Sequence, residues 1–276
     1  MHKSLNGGAI HVSVPALAEG VRLCHLGGFE SIALHNGLIS ELSKAEIQET
    51  LGTIHPGAWG VPFDWRGSDQ SFIEGLANLP SQANAMQQAG VTRCATWILP
   101  GSNELNFDQN RAFHIKRLTP IANILNDHGM TFGLEFVGPK TSRDSRRHPF
   151  IYTLEAMLEL GSDIGPNVGL VVDAWHLHSS QGTIEELIKV PASKIALVHI
   201  NDAPAGVEID DLKDHDRRLP GETGEINIRG FLNALRQLGY EGPVEAEPFD
   251  PRLKELPSDE NRIKKVGECM TKVFSL

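Results

Sequence analysis

Apolar and β-branched residues gather in short runs along this chain, and the runs alternate with longer stretches in which apolar residues recur every three or four positions. The short runs predict eight strands: Ala9–Val14, Ser31–Leu34, Ala58–Val61, Arg93–Leu99, Thr131–Phe136, Val168–Val172, Ile195–Ile200 and Pro243–Ala246. The stretches between them read as amphipathic helices. Phe113, Leu118, Ile121, Ile124 and Leu125 mark one, and Ile228, Phe231, Leu232, Leu235 and Leu238 another. Glycine-containing turn signals close the helices before the next strand, at Gly27-Gly28, Ala89-Gly90, His128-Gly129 and Leu238-Gly239. Eight strands in 276 residues leave about 34 residues per unit, the size of one strand–helix repeat.

Strands that alternate with helices imply a parallel sheet, and eight such units predict an α/β fold, a (β/α)8 TIM barrel forming a single domain over residues 1–276. The rival is an open doubly wound sheet, which announces itself by GxGxxG after its first strand. Here the expected first strand runs into Pro15-Ala16-Leu17, and no GxxxxGK[ST] phosphate loop occurs. Three segments break the rhythm: Gly101–Phe107, the basic stretch Pro139–Pro149 with Lys140, Arg143, Arg146, Arg147 and His148, and Ala203–Glu225. All three follow strand C-terminal ends, where barrel enzymes place their chemistry, so they are expected to be binding loops or lids.

Chemistry gathers at the ends of four consecutive strands. Strand five closes on Glu135, strand six on Asp173, strand seven on His199 and strand eight on Glu247. A lone carboxylate at a strand end is most often a surface group or a helix N-cap. Four ionisable ends converging on one barrel mouth are different, because three carboxylates brought together repel unless a proton or a cation neutralises them. An oxygen-rich set with one imidazole suits one divalent metal ion such as Mn2+, Mg2+, Co2+ or Zn2+, with Zn2+ the tighter fit. No covalent nucleophile competes for the mouth. Lys194 precedes strand seven and Cys94 begins strand four, so both belong to the opposite rim. Trp59, Trp65 and Trp97 are candidates for an apolar pocket wall.

Charge narrows the partners. With 25 basic and 35 acidic residues the net charge is -10, a surface that repels phosphate backbones and anionic lipid. The expected partner is a small-molecule substrate, with no nucleic acid and no membrane; a homo-oligomer is left open. Cys24, Cys94 and Cys269 form no disulfide framework. The first eight residues lack the apolar core of a signal peptide, and no apolar run approaches the ~20 residues that span a bilayer, so the expected location is the cytoplasm.

A family resemblance rests on particular motifs over about residues 130–250: Leu134-Glu135-Phe136-Val137-Gly138, Val168–Asp173 followed by His176 and His178, His199-Ile200-Asn201-Asp202, Asp216-Arg217 before Pro220-Gly221, and Glu247 before Phe249 and Pro251. In these the chain resembles the xylose-isomerase-like barrel superfamily of sugar isomerases and epimerases, and within it the inosose (2-keto-myo-inositol) isomerases. The resemblance implies that Glu135, Asp173, His199 and Glu247 are metal ligands. It further implies that Glu135 and Glu247 are the catalytic pair that shuttles a proton, and that His176 and Arg217 hold substrate oxygens. His178 is expected to be structural. The superfamily also holds metal-dependent AP endonucleases, which carry further metal histidines where this chain has Leu99 and Arg218; that departure disfavours nucleic-acid cleavage. The function expected is metal-dependent isomerisation or epimerisation of a small polyhydroxy ketone, a sugar or inosose, by proton transfer next to the carbonyl through an enediolate. The alternative is a dehydratase of a cyclic hydroxyketone on the same barrel, and a barrel kept only for binding is the third reading.

Overall fold

The computed structural model describes all 276 residues. Eight strand positions follow one another: β1 (His2–Leu5), β2 (Ser31–Ile32), β3 in two pieces (His55–Pro56 and Trp59–Gly60), β4 (Arg93–Ile98), β5 (Thr131–Phe136), β6 (Val168–Asp173), β7 (Ile195–Ile200) and β8 (Pro243–Ala246). Every pairing among them is parallel. The two pieces of β3 stand at opposite ends of the sheet order, one on β2 and the other on β4. The chain between them carries the ladder across, with Leu34 N–H donating to Ala58 O and Val61 N–H to Ala95 O, so the sheet returns on itself as a barrel. Gly57 sits at the break because a Cβ there would lie 2.7 Å from the Ile32 carbonyl oxygen.

The first strand differs from expectation. Ala9–Val14 is a 3-10 turn (Gly8–Ile10) and a loop, and β1 is the more polar His2–Leu5. The cause is the barrel interior: β1 turns the fully buried Ser4 toward Glu245 on β8, so its inner face lacks the apolar side chains by which strands are recognised. Ala9 and Ile10 are buried all the same, in the turn. In the third unit the expected Ala58–Val61 overlaps only the second piece.

Eight principal helices surround the sheet: α1 (Leu17–Gly27), α2 (Lys44–Leu51), α3 (Asp69–Gln88), α4 (Phe107–Asp127), α5 (Leu154–Ile164), α6 (Ala174–Ser179), α7 (Ile228–Leu238) and α8 (Asp259–Phe274). Local chemistry sets their ends. Ser43 with Glu46 and Asn106 with Gln109 form capping boxes at α2 and α4. Each expected turn signal carries a left-handed glycine, Gly28, Gly90, Gly129 and Gly239. On α7, Ile228, Phe231, Leu232, Ala234 and Leu235 are buried, each large apolar side chain contributing roughly 1.5–3 kcal/mol. No helix is long and apolar enough to cross a membrane.

The main core of 65 buried residues packs around the sheet, while a separate small cluster of Ala58, Val171 and Leu197, with Ala95 against it, fills the barrel interior. Alternation along the strands then lifts a polar layer above that floor. Two residues beyond Ala95, Val171 and Leu197 come Trp97, Asp173 and His199.

Candidate metal centre

Glu135 at the end of β5, Asp173 closing β6, His199 on β7 and Glu247 one residue past β8 are all buried. One ligand atom from each lies within 4.8 Å of all the others. His199 Nδ1 is 2.8 Å from Glu135 Oε1 and 3.4 Å from Glu247 Oε2. Asp173 is fixed from behind: its Oδ1 accepts the Trp175 backbone N–H, capping α6, and the Asn201 amide, at 2.8 and 3.0 Å. Three carboxylates and an imidazole able to approach one point fit a divalent ion.

The electrostatics carry the same message. Burial raises Glu135 and Glu247 above the usual carboxylate range, and it lifts Asp173 to about 6 against the pull of Arg217. Burial alone would lower His199, but the Glu247 and Glu135 carboxylates outweigh it and raise the imidazole well above its ordinary value. Without a cation the cluster therefore holds protons near neutrality, and an ion must displace them.

Arg217 is 2% exposed and enters the cluster from the loop 203–225. Nη1 donates to Asp173 Oδ2 and Glu247 Oε2, both at 2.9 Å. Nη2 donates to Asp214 Oδ1 at 2.9 Å, and Nε donates to Asp214 O. Its fork thus tethers two of the three carboxyl groups of the cluster. His176 lies beside it, Nε2 at 3.3 Å from Arg217 Nη2, and accepts the Gly138 N–H at Nδ1. Burial, with Arg217 adding to it, pushes the His176 pKa well below its usual value, so the ring is neutral. Gly138 is needed for this approach: a Cβ there would sit 2.2 Å from the His176 carbonyl oxygen.

The loop carrying Arg217 is ordered, not a structureless lid. Asp202, fully buried, accepts N–H bonds from Ala203 and Ile226 on one oxygen and from Thr223 and Gly224 on the other. Leu212 and Leu219 within the loop are buried as well.

Two cavities flank the cluster and share Glu135, Glu247 and Trp97 as walls. The inner one, about 520 Å³, is bounded by Val12, Leu34, Leu38, Trp59 and Asn6. The outer one, about 770 Å³, is polar, with Ser142, Ser145, Arg146, Lys213 and Arg217. Trp59 and Trp97 therefore do line the mouth, Trp97 with 46% exposure. Trp65 does not: it packs beneath, donating its Nε1–H to Thr96 Oγ1 and stacking on Arg66. Phe249, beside the outer cavity, holds a left-handed φ of 44°, strain of the kind that gathers at functional sites. Leu99 also faces the outer cavity, and Arg218 pairs with Asp216 at 2.6 Å. Lys194 bonds Pro166 O and Val168 O at the far rim, and Cys94 is fully buried.

Sequence reasoning passed over Glu245 and Asn201. Glu245 is 1% exposed, and its Oε2 lies 3.6 Å from His199 Nε2. The signal was available: two residues before Glu247 on one strand, it must share that residue's inward face.

Against known proteins, the family model described as the Xylose isomerase-like TIM barrel matches residues 20–272. An inosose isomerase of Bacillus velezensis is 27% identical over 273 residues, covering 94% of this chain and 92% of that one. A 3-dehydroshikimate dehydratase of Pseudomonas putida is 31% identical over 97 residues, 35% of this chain and 15% of that one. Among solved structures, a xylose isomerase domain protein of Alicyclobacillus acidocaldarius superposes with a TM-score of 0.85 at 26% identity, covering 100% and 98% of the two chains. The IOLI protein, solved with a bound zinc atom, gives 0.80 at 24% identity with the same coverage.

Proposed function

Because the chain belongs to the Xylose isomerase-like TIM barrel family, we propose that it is a metal-dependent isomerase that moves a proton between carbons of a small polyhydroxy ketone, with inosose the first substrate to test. The observation that carries the reading is the buried cluster of Glu135, Asp173, His199 and Glu247, converging within 4.8 Å between two open cavities. These four residues would hold one divalent ion, Mn2+, Mg2+, Co2+ or Zn2+. The ion's contribution, when bound, is to polarise vicinal carbonyl and hydroxyl oxygens and acidify the C–H between them.

The chain's own groups supply the rest. One of Glu135 and Glu247 takes the proton from the carbon bearing the hydroxyl. The C–H electron pair becomes the carbon–carbon double bond of an enediolate, and the carbonyl π pair moves onto its oxygen. The same glutamate, or the other, returns the proton to the former carbonyl carbon, while the hydroxyl proton passes between the two oxygens. Nothing is oxidised or reduced overall. Arg217 keeps Asp173 and Glu247 in position, and neutral His176, beside it at the outer cavity, is placed to meet an oxygen of the substrate.

A specific observation favours a second reading, dehydration of a cyclic hydroxyketone that bears an acidic group. Arg146 and Lys213 line the outer cavity, and neither is engaged in an ion pair. The surrounding charges are taken: Lys140 by Asp144, Asp214 by Arg217 and Asp216 by Arg218, while Arg143 lies over the Tyr152 ring. Two free cations suit a substrate carboxylate, the group that sets 3-dehydroshikimate apart from inosose. Proton NMR of the zinc- or manganese-loaded protein with each compound in D2O decides between the readings. Solvent deuterium in an isomerised inosose supports the first, and loss of water from 3-dehydroshikimate supports the second. Exchange next to neither carbonyl would reject both substrates.

A further inference from the structure

We propose that Glu245 is a positioning residue for the metal centre: its carboxylate accepts the Nε2–H of His199 and so keeps Nδ1, the nitrogen turned toward Glu135 and Glu247, available to the ion. The inference rests on the metal reading given above and assigns a task to a residue outside the four-ligand set.

Strand register brings the groups together. Glu245 pairs across β7 with His199 and across β1 with Ser4, so the three side chains share one layer of the barrel interior. Ser4 Oγ donates to Glu245 Oε1 at 3.3 Å, and Asn6 Nδ2 donates to Oε2 at 2.9 Å. The carboxylate is therefore braced from the β1 side while its other face looks toward the imidazole. On that side His199 Nε2 is buried and has no hydrogen-bond partner, and Glu245 Oε2 faces it at 3.6 Å. Closing this separation to a hydrogen bond takes a shift of about half an ångström.

An imidazole that gives one nitrogen to a metal must carry its proton on the other. Metal-ligating histidines almost always donate that second N–H to a carboxylate, carbonyl or water, which fixes the ring and makes the ligating nitrogen more basic. In this buried layer Glu245 is the carboxylate placed to do so. His199 Nδ1 bonds Glu135 Oε1 at 2.8 Å, which shows which edge of the ring faces the cluster. A purely structural strut between β1 and β8 would need only the contacts to Ser4 and Asn6. The approach to His199 adds a demand that an amide meets in part and an apolar side chain not at all.

The test uses the full-length chain and zinc as the probe. Wild type, Glu245→Gln and Glu245→Leu are stripped of metal, and zinc affinity is measured by competition with a chromogenic chelator. Long-range 1H–15N NMR of the zinc-loaded proteins reports which ring nitrogen of His199 carries the proton and how fast it exchanges. Glu245→Leu is expected to weaken zinc binding 10–100-fold, the usual effect of losing such a partner, with a smaller loss for Glu245→Gln. The Nε2–H signal should be protected in wild type and exchange faster in the leucine variant. Zinc affinity and Nε2–H exchange equal to wild type in Glu245→Leu would overturn the proposal. If that variant does not fold, Glu245→Gln decides: an affinity and exchange rate identical to wild type would overturn it just as well. A wild-type chain that takes up no zinc or other divalent ion would instead refute the metal reading itself, so the two failures are distinguishable.

Discussion

Replacing Asp202 by Asn should loosen the loop that delivers Arg217. In the native chain each carboxylate oxygen accepts two backbone N–H groups, at 2.9 Å from both Ala203 and Ile226, and at 3.0 and 2.8 Å from Thr223 and Gly224. The amide keeps one oxygen and turns an NH2 group toward two donors. Two charge-assisted bonds are lost, each contributing about 1.5–3 kcal/mol. Water can reach the part-buried Thr223 and Gly224 side, so the net loss should be about 2–4 kcal/mol. For a chain of this size that corresponds to a fall in Tm of roughly 3–7 °C if the loop unfolds with the rest. If it opens locally instead, the loss shows as protease sensitivity, because Lys213, Arg217 and Arg218 are trypsin sites inside the loop. Thermal melts and timed trypsin digestion of both proteins are the assay. An unchanged Tm together with an unchanged cleavage rate would show that Asp202 does not pin the loop.

The remaining predictions concern the cluster and its mouth. Arg217→Lys should lower kcat/KM at least tenfold, because one ammonium cannot reproduce a fork that bonds Asp173, Glu247 and Asp214 together; steady-state kinetics with the true substrate checks this, and a change under twofold would contradict it. Zinc uptake should release protons and weaken as pH falls. His199, raised by its carboxylate neighbours, and Asp173, lifted to about 6 by burial, are progressively protonated as pH falls through their pKa values, and each proton must leave before the ion binds; titrations between pH 5 and 8 that show one constant affinity would argue against it. The double variant Arg146→Gln/Lys213→Gln should raise KM for 3-dehydroshikimate while leaving that for neutral inosose unaltered; equal effects on both would remove the case for an acidic substrate.

Much of the architecture was legible because burial and period coincide. β5, β6, β7 and β8 are buried almost throughout and β4 in part, all are bounded by turn residues, and their starts agree with those read from the sequence. The first unit was not legible for the same physical reason. β1 faces a polar interior, so Ser4 and Asn6 point where apolar residues would ordinarily mark a strand. β3 is broken at Gly57, where a neighbouring carbonyl leaves no room for a side chain. At the site, the four strand-end residues could be read because parallel strands converge at the rim and each sits at or next to a strand terminus. Spacing along the chain could not give what depends on loop packing. Arg217 spends its fork on the carboxylates as well as facing the cavity. Asp202 organises the loop behind it, and Trp65, one of three candidate wall residues, turns into the core.

The most direct test of the central claim is anomalous diffraction from crystals of the full chain grown with Zn2+ or Mn2+ and measured at the absorption edge of the ion. The account predicts one strong peak among Glu135, Asp173, His199 and Glu247, at roughly 2.0–2.2 Å from their ligand atoms for zinc, and no such peak in Glu135→Gln/Glu247→Gln. An ion bound elsewhere with these four residues empty, or crystals free of metal whose protein is fully active, would contradict it.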